Sequence, residues 1–252
     1  NDAHRRGKGS LPMIYVMSDI HGCYETYLKM LEKIGLRESD TLYILGDVID
    51  RGKDGIKVLM DMMMRPNVIP LLGNHEYMAA ISLSSLADAA KAPETPPSPA
   101  LKRRLAKWVS DSGTVTIDAY RRLTPAERAQ VLEYLAEFSL YEEVRAGGKD
   151  YLLMHAAPDE GGWEPSAYHP EDFLFSHSLL EESPFPGKIL VTGHMPTFLI
   201  GEQYRGKIVI SEKGDHICID AGAGYGENLA AVCLNTGWQY YLSTAEDPAL
   251  QD

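Results

Sequence analysis

The segment 41–52, TLYILGDVIDRG, begins as a run of apolar residues with high β propensity and ends in a glycine, two aspartates and an arginine. A short apolar run bounded in this way predicts a buried strand. Two other segments have the same form: MIYVM (13–17) precedes SDIHG, and NVIPLL (67–72) precedes GNHEYM. Polar, chemically active side chains therefore follow three predicted strands in the first third of the chain.

Helical stretches separate these strands. Apolar residues recur at helical spacing, namely Tyr24, Leu28, Leu31 and Ile34 in the first stretch and Ile56, Leu59 and Met63 in the second. The resulting β-α-β-α-β order predicts an α/β fold with a largely parallel sheet and helices on its faces.

The middle of the chain differs in composition and periodicity. Residues 84–105 are rich in proline, serine and alanine, which predicts a mobile, exposed loop. From Trp108 to Leu140 the periodicity is helical, and Thr124, Pro125 and Glu127 give the start of one helix a capping box. We interpret 84–140 as a helical cap or loop insertion.

Strand-like runs return in the second half, at 151–155, 188–194, 207–211, 216–220 and 229–235. Most are closely spaced without a helix between them, which predicts antiparallel or mixed pairing. We expect a single domain over residues 13–240, and we expect residues 1–12 to be a disordered or vector-derived tail.

Composition excludes several classes of function. The 252 residues are 44% apolar and 24% charged, as in soluble globular proteins, and no apolar run could span a bilayer. The formal charge of −12 disfavours nucleic acid as a partner. The three cysteines form no C-x-x-C pair and predict free thiols, as in a cytoplasmic protein.

Six good metal ligands follow five of the predicted strands: Asp19, His21, Asp47, Asn74, His155 and His194. The carboxyl ends of strands in an open α/β sheet converge on one crevice. Carboxylate, imidazole and amide together suit Mn²⁺, Fe²⁺ or Zn²⁺, and the lack of thiolate argues against a closed structural zinc site. An isolated aspartate or histidine more often caps a helix or serves the core, but several at successive strand ends favour a metal site.

Six protein ligands are too many for one catalytic ion and suit two ions that share a carboxylate. Asp47 is the natural bridge, because it lies between the Asp19/His21 pair and the later ligands. Two ions about 3.5–4 Å apart lower the pKa of a shared water and hold the oxygens of an in-line displacement at phosphorus.

Several motifs together resemble a known family. The segments DIHG (19–22), GDVIDRG (46–52) and GNHE (73–76) resemble, in order and spacing, the signature of metallophosphoesterases of the phosphoprotein phosphatase type. MHAAP (154–158) and TGHMPT (192–197) resemble the later histidine motifs, while WVSDSGTVTIDAY (108–120) and IDAGAGYGENLAAVCLNTG (219–237) are similar to segments of the bacterial members. The resemblance implies a four-layer α/β/β/α metallophosphoesterase sandwich with mixed sheets and a helical cap insertion.

The resemblance also implies residue roles. Asp19, His21 and Asp47 would hold one divalent ion, and Asp47, Asn74, His155 and His194 the other. Mn²⁺ is the leading expectation, with Fe or Zn as alternatives. His75 would be the general acid, Asp50 the carboxylate that orients it, and Arg51 the phosphate clamp. We expect Glu76 to support its loop without binding metal.

Three features depart from the family pattern or extend it. The family commonly has a second phosphate-binding arginine after the His155 motif; none follows here, and His177 or Arg205 could replace it. Ser112 stands where relatives often have glycine. The glycine-rich segment 222–226 is interpreted as a hairpin loop near the site.

The resemblance implies a phosphatase that hydrolyses phosphoserine or phosphothreonine in proteins through a hydroxide that bridges the two metals. The alternative is a diadenosine polyphosphate hydrolase, and tyrosine phosphatase activity or a non-catalytic scaffold also remain open. The expected partner is a phosphoprotein or a small phosphorylated substrate, with no nucleic acid and no membrane. Oligomeric state and native metal are not predicted.

Overall fold

The first half of the chain supplies three parallel strands of one sheet, with helices between them. A computed structural model describes residues 11–90, 96–158, 164–177 and 182–251. The elements in order are β1 (Ile14–Met17), α1 (Tyr24–Ile34), β2 (Thr41–Ile44), α2 (Gly55–Met63) and β3 (Val68–Pro70). β1 pairs parallel with β2, and β2 pairs parallel with β3. The predicted β-α-β-α-β order is confirmed.

Four helices follow: α3 (Asn74–Ala90), α4 (Pro99–Ser110), α5 (Thr114–Arg121) and α6 (Pro125–Ala136). The predicted loop over 84–105 is therefore wrong for most of its length, while residues 91–95 lie outside the described part of the chain. Alanine favours helix, the prolines begin only at position 93, and the Ser98 side chain caps α4 by accepting from the Leu101 amide. The capping box of Thr124 and Glu127 is present at α6.

The second half supplies a second sheet. Its elements are β4 (Tyr141–Ala146), β5 (Lys149–Met154), α7 (Asp172–Phe175), β6 (Ile189–Thr192), β7 (Val209–Ile210), β8 (His216–Cys218), β9 (Asn228–Cys233) and β10 (Gln239–Ser243). The second sheet has the order β4-β5-β6-β8-β7, and β9 and β10 return to the first sheet, whose order is β10-β9-β1-β2-β3. Both sheets mix parallel and antiparallel pairs, as predicted.

The two sheets pack face to face, with helices on the outer face of the first sheet. Successive side chains of β1 point to opposite faces, so that Met17 packs with the helices and Val16 packs between the sheets. Leu152 and Leu190 on the outer face of the second sheet are covered by Phe173 of α7 and by Phe185. The α/β/β/α layering is confirmed, with only one short helix among the described elements of the fourth layer.

The structure also bears on the predictions about the cysteines and about membrane-spanning segments. The three cysteines are buried and free. Among the helices of the described residues, none has both the length and the apolar character needed to cross a bilayer. The boundaries predicted for the single domain and for the cap insertion remain predictions, and most of the predicted tail, residues 1–10, lies outside the described part of the chain.

Candidate active site

The predicted metal ligands meet at the carboxyl ends of strands from both sheets. His21 Nε2 lies 3.7 Å from Asp47 Oδ2, and His155 Nε2 lies 3.4 Å from Asp47 Oδ1. Asn74 Oδ1 is 2.9 Å from His155 Nε2 and 3.1 Å from His194 Nδ1. Two groups of side chains could each hold an ion, one of His21, Asp47 and His75 and the other of Asp47, His155 and His194. Asp47 belongs to both groups.

Asp19 lies beside these two groups and not within either of them. Its Oδ2 accepts hydrogen bonds from Ser18 Oγ at 2.5 Å and from the His194 backbone at 3.0 Å. Burial, with Asp220 and Asp47 nearby, raises the pKa of Asp19 well above its usual value. A cation at this position would relieve the repulsion among the three carboxylates.

The backbone at the site adopts a conformation that side-chain-bearing residues rarely take. Asp19, His21, Asp47, Asp50, Arg51 and His194 all have positive φ, between 45° and 67°. Left-handed backbone costs about 1–2 kcal/mol for an ordinary L-residue, and such strain concentrates at functional sites. The fold thus holds these six residues in a geometry that none of them would adopt readily alone.

Hydrogen bonds orient the histidine rings. A backbone carbonyl can only accept, so the 2.9 Å contact of His21 Nδ1 with Ile49 O and the 2.6 Å contact of His155 Nδ1 with Leu45 O place the proton on Nδ1. Burial lowers the pKa of both residues, and that of His194 to about 3. Neutral rings direct the Nε2 lone pairs of His21 and His155 toward Asp47, as metal ligands do.

The donor set fits divalent cations. Asn74 Oδ1, the Asp47 carboxylate and the imidazole lone pairs are all acceptors that face one another, which is repulsive unless a cation lies among them. Turning the Asn74 amide would replace the repulsion by hydrogen bonds from its NH₂ group. His194 Nε2 is buried and has no hydrogen-bond partner among the described residues.

His75 forms a buried pair with Asp50. His75 Nδ1 lies 2.7 Å from Asp50 Oδ2. Burial opposes protonation of His75, yet the charges of Asp47 and Asp50 outweigh it and raise the pKa to about 9. The ring can therefore carry a proton at neutral pH, as a general acid must.

Two residues from the helical segment hold Asp50. Trp108 Nε1 donates to Asp50 Oδ2 at 2.7 Å, and Thr116 Oγ1 donates to Asp50 Oδ1 at 2.5 Å. The Asp50 amide donates to Thr116 Oγ1 at 3.1 Å. A side chain at Gly113 would lie 2.5 Å from the Trp108 indole, so this glycine allows the close approach. In the sequence, Trp108 and Thr116 belong to a segment similar to one of the bacterial members, but no role for either residue was predicted.

Glu76 ties together the loops after β2 and β3. Its carboxylate accepts hydrogen bonds from four backbone amides, those of Asp47, Val48, Ile49 and Gly73, at 2.8–3.2 Å. This is the supporting position expected from the sequence.

Arg51 lies beside a large open cavity. Its guanidinium carbon is 4.1 Å from the centroid of the Tyr225 ring, which is a cation–π contact. The cavity measures about 580 Å³ and is lined by Arg51, Asp111, Ser112, Gly224, Tyr225, Gly226, Ala245, Leu250 and Gln251. Residues 222–226 do lie at the site, since a side chain at Gly224 would meet His21 and Arg51. However, the segment joins β8 of one sheet to β9 of the other, so its interpretation as a hairpin loop is wrong.

The two proposed substitutes for a second arginine differ in position. The His177 ring centroid is 5.8 Å from that of His194, at the edge of the site. Arg205 instead forms ion pairs with Glu202 and Glu227. His177 is therefore better placed than Arg205 to contact a substrate.

Asp220 was not predicted as a site residue. It is buried two residues after the end of β8, and its Oδ1 accepts from the Gly222 amide at 2.9 Å. Burial raises its pKa to about 7. The signal was present in the sequence, because HICID ends in an aspartate just as the other strands do.

Comparison with known proteins identifies the family of the chain. The calcineurin-like phosphoesterase family matches residues 12–218. A symmetrical bis(5′-nucleosyl)-tetraphosphatase of Acidovorax sp. (strain JS42) is 31% identical over 57% of this chain and 43% of its own length. Serine/threonine-protein phosphatase 2 of Salmonella typhimurium is 31% identical over 58% of this chain and 60% of its own length. The chain thus matches about half the length of these curated relatives.

Solved structures share the fold at low identity. A crystal structure of a candidate diadenosine tetraphosphatase superposes with a TM-score of 0.60 and 18% identity, covering 93% of this chain and 95% of the other. A protein serine/threonine phosphatase from Saccharomyces cerevisiae with similarity to human PP5 gives a TM-score of 0.60 and 12% identity, covering 92% and 79%.

Proposed function

The chain belongs to the calcineurin-like phosphoesterase family, and on that premise we propose that it is a dinuclear metal-dependent phosphatase acting on phosphoserine and phosphothreonine in proteins. The observation that carries the proposal is the buried His75–Asp50 pair next to Asp47. A serine or threonine alkoxide leaves poorly, so its departure requires a proton donor at this place.

The residues present fit two divalent ions. Asp19, His21 and Asp47 would hold one, and Asp47, Asn74, His155 and His194 the other, with Mn²⁺ proposed ahead of Fe or Zn. Two such ions supply Lewis acidity, a lowered pKa for bound water and a clamp on phosphoryl oxygens. The neutral state of the three histidine ligands supports this assignment, because only a neutral imidazole offers a lone pair.

The protein's own groups handle the proton and the phosphate. His75 holds a proton on Nε2, 3.8 Å from Asp47 Oδ2, while Asp50 accepts from Nδ1 and fixes the ring. Such a donor contributes about 10²–10⁴-fold in rate. Arg51 presents a planar fork suited to two phosphate oxygens, and the face of Tyr225 restricts the orientation of that fork.

A metal-dependence experiment tests the proposal. Protein stripped of metal and resupplied with Mn²⁺ should hydrolyse an aryl phosphate, and Asp47→Asn should abolish that activity. Asp118→Asn, on the exposed face of α5, is a matched control that should remain active. An inactive wild type in all of Mn²⁺, Fe²⁺ and Zn²⁺, or an unaffected Asp47→Asn, would disprove the proposal.

A second substrate class is favoured by the names of the relatives. Several of them, including the Acidovorax protein, are named symmetrical bis(5′-nucleosyl)-tetraphosphatases. In a dinucleoside tetraphosphate the leaving group is a phosphate oxygen, which departs without much help from an acid. Loss of the His75 proton donor would therefore slow hydrolysis of a dinucleoside tetraphosphate less than that of a phosphopeptide.

Comparing kcat/KM for a phosphopeptide and for diadenosine tetraphosphate, in wild type and His75→Asn, separates the two substrate classes. A protein phosphatase should prefer the phosphopeptide and lose that activity by about a hundredfold or more in the variant. Preference for the dinucleotide, with only a small loss in His75→Asn, would establish the alternative.

A further inference from the structure

The last eight described residues, Thr244–Gln251, cross three segments that surround the site. We call them the C-terminal strap. They follow β10 and lie beyond residue 218, where the match to the family ends. Most of the hydrogen bonds below are to backbone groups, so the strap fixes chain segments as well as side chains.

The strap first binds the segment that carries Tyr225. The Thr244 amide donates to Glu227 O at 2.8 Å, and Thr244 Oγ1 donates to Ala223 O at 2.8 Å. Thr244 is completely buried. These bonds hold both ends of the short segment that places Tyr225 against Arg51.

Next, the strap caps helix α1, which starts two residues after Gly22. Asp247 Oδ2 accepts from the Thr26 amide at 3.0 Å and from Thr26 Oγ1 at 2.6 Å. Cys23, at the N-cap position of α1, makes no side-chain capping bond. Asp247 therefore satisfies an amide that the helix start would leave without a partner, and its negative charge is favourable at that end.

Finally, the strap binds the chain just after Arg51. The Lys53 amide donates to Ala249 O at 3.1 Å, and Lys53 Nζ donates to Gln251 O at 3.1 Å. Asp50 and Arg51 both have positive φ, and such backbone persists only where its surroundings hold it. The bond to Lys53 restrains this loop two residues from Arg51.

The strap also forms a wall of the 580 Å³ cavity, through Ala245, Leu250 and Gln251. Arg51, Tyr225 and Asp111 also line this cavity. The volume falls within the range of small-molecule sites, about 300–1,000 Å³. The cavity therefore has room for the part of a phosphate ester that extends beyond its phosphate.

We propose that the C-terminal strap is a positioning element for substrate binding. Thr244 holds the segment of Tyr225, and Ala249 O holds the segment of Arg51 through the Lys53 amide. Asp247 fixes the strap itself, by binding Thr26 and by accepting from the Ala249 amide at 2.9 Å. The strap's cavity wall contacts the alcohol portion of the phosphate ester. This rests on the proposed function of Arg51 as the phosphate clamp. Among the hydrogen bonds and ion pairs of the described residues, none joins the strap to a group that transfers protons or that would hold metal. Loss of the strap should therefore raise KM and leave kcat nearly intact.

Asp247→Ala in the metal-loaded protein tests the inference, with Thr124→Ala as a control that removes a cap from the exposed start of α6. We expect KM for an aryl phosphate and the inhibition constant of inorganic phosphate to rise about tenfold in Asp247→Ala, with kcat within about twofold. Thr124→Ala should lower the melting temperature comparably without changing KM. Asp247→Asn should recover part of the affinity, since an amide oxygen can still accept from Thr26.

Hydrogen exchange at the Lys53 amide gives a readout that needs no activity. Its exchange should speed up at least tenfold in Asp247→Ala and stay unchanged in Thr124→Ala. Should Asp247→Ala fail to fold, Thr244→Val takes its place with the same expectations. An unchanged KM together with unchanged Lys53 exchange would overturn the inference while leaving the phosphatase proposal standing. An inactive wild type would instead defeat the phosphatase proposal, and Lys53 exchange would still decide whether the strap restrains the loop.

Discussion

Thr116→Val should impair only reactions that need a proton donor. The Thr116 hydroxyl donates to Asp50 Oδ1 at 2.5 Å, and valine has nearly the same shape without that hydroxyl. A hydrogen bond to a charged group contributes about 1.5–3 kcal/mol. About 1.4 kcal/mol corresponds to a tenfold change in rate. If the whole energy of this hydrogen bond were added to the activation free energy, the reaction would slow by about 10–150-fold.

The expected loss lies toward the lower end of that range. Asp50 keeps its bonds to His75 and Trp108, both through Oδ2, so the orienting carboxylate is loosened and not released. We expect kcat for an alkyl phosphate, such as a phosphoserine peptide, to fall about tenfold. For p-nitrophenyl phosphate, whose leaving group needs no proton, the fall should be less than about threefold.

The assay is steady-state kinetics on both substrates at one pH and one metal concentration. Thr114→Val, at an exposed position of the same helix, is the control for the substitution itself and should match wild type on both substrates. Equal losses on the two substrates would show that Thr116 supports the fold in general. No loss on either substrate would show that Asp50 does not need the Thr116 hydroxyl. Each of these two outcomes would refute a role for Thr116 in supporting His75 as the proton donor.

Three other predictions concern stability and binding. Burial raises the pKa of Asp220 to about 7 in the metal-free protein, so the stability that its protonated form contributes is lost as pH rises from about 4 through 7. Asp220→Asn cannot ionise, so the melting temperature of the stripped variant should rise relative to that of stripped wild type over that interval, and a constant difference would contradict this. The comparison with wild type cancels the opposite contribution of His21, His155 and His194, whose lowered pKa values favour folding as pH rises. Ser112 has a φ of 67°, so Ser112→Gly should stabilise the protein by about 1 kcal/mol in denaturant unfolding, and an unstable variant would contradict this. Arg51→Lys should raise KM about tenfold because lysine cannot bind two phosphate oxygens in one plane, and an unchanged KM would remove Arg51 from the binding site.

The sequence predicted the site residues best at strand ends, where an apolar run is followed by a polar residue and the topology of a parallel sheet fixes where that residue lies. Each of the six expected ligands follows an apolar run, and parallel strands necessarily deliver their carboxyl ends to one edge. That rule needs no knowledge of the loops. Within the first sheet it brought Asp47 next to His21. His155 follows β5 of the second sheet, so its place 3.4 Å from Asp47 depends on how the two sheets pack.

Contacts between distant segments could not be predicted in this way. Trp108 and Thr116 reach Asp50 across 58 and 66 residues, and Asp247 reaches Thr26 across 221. No local pattern marks such pairs, because the two partners are far apart along the chain. They depend on how the helices and the strap pack on the completed sheets.

The end of α3 and strand β4 were not predicted, because their amino-acid composition is typical of other structures. The alanine- and serine-rich end of α3 was assigned to a loop because its neighbours are prolines, yet those prolines lie beyond the helix. β4 was missed because YEEVRA contains three charged residues, which an exposed edge strand tolerates. The identity of the metal was not determined because carboxylate, imidazole and amide suit several ions.

The central claim is that two cations lie on either side of Asp47. Anomalous diffraction from crystals of Mn²⁺-loaded protein, measured at the manganese edge, tests it most directly. We predict two peaks per chain, one beside Asp19 and His21 and one beside Asn74, His155 and His194, with the Asp47 carboxylate between them. A single peak, or two peaks that Asp47 does not join, would contradict the account.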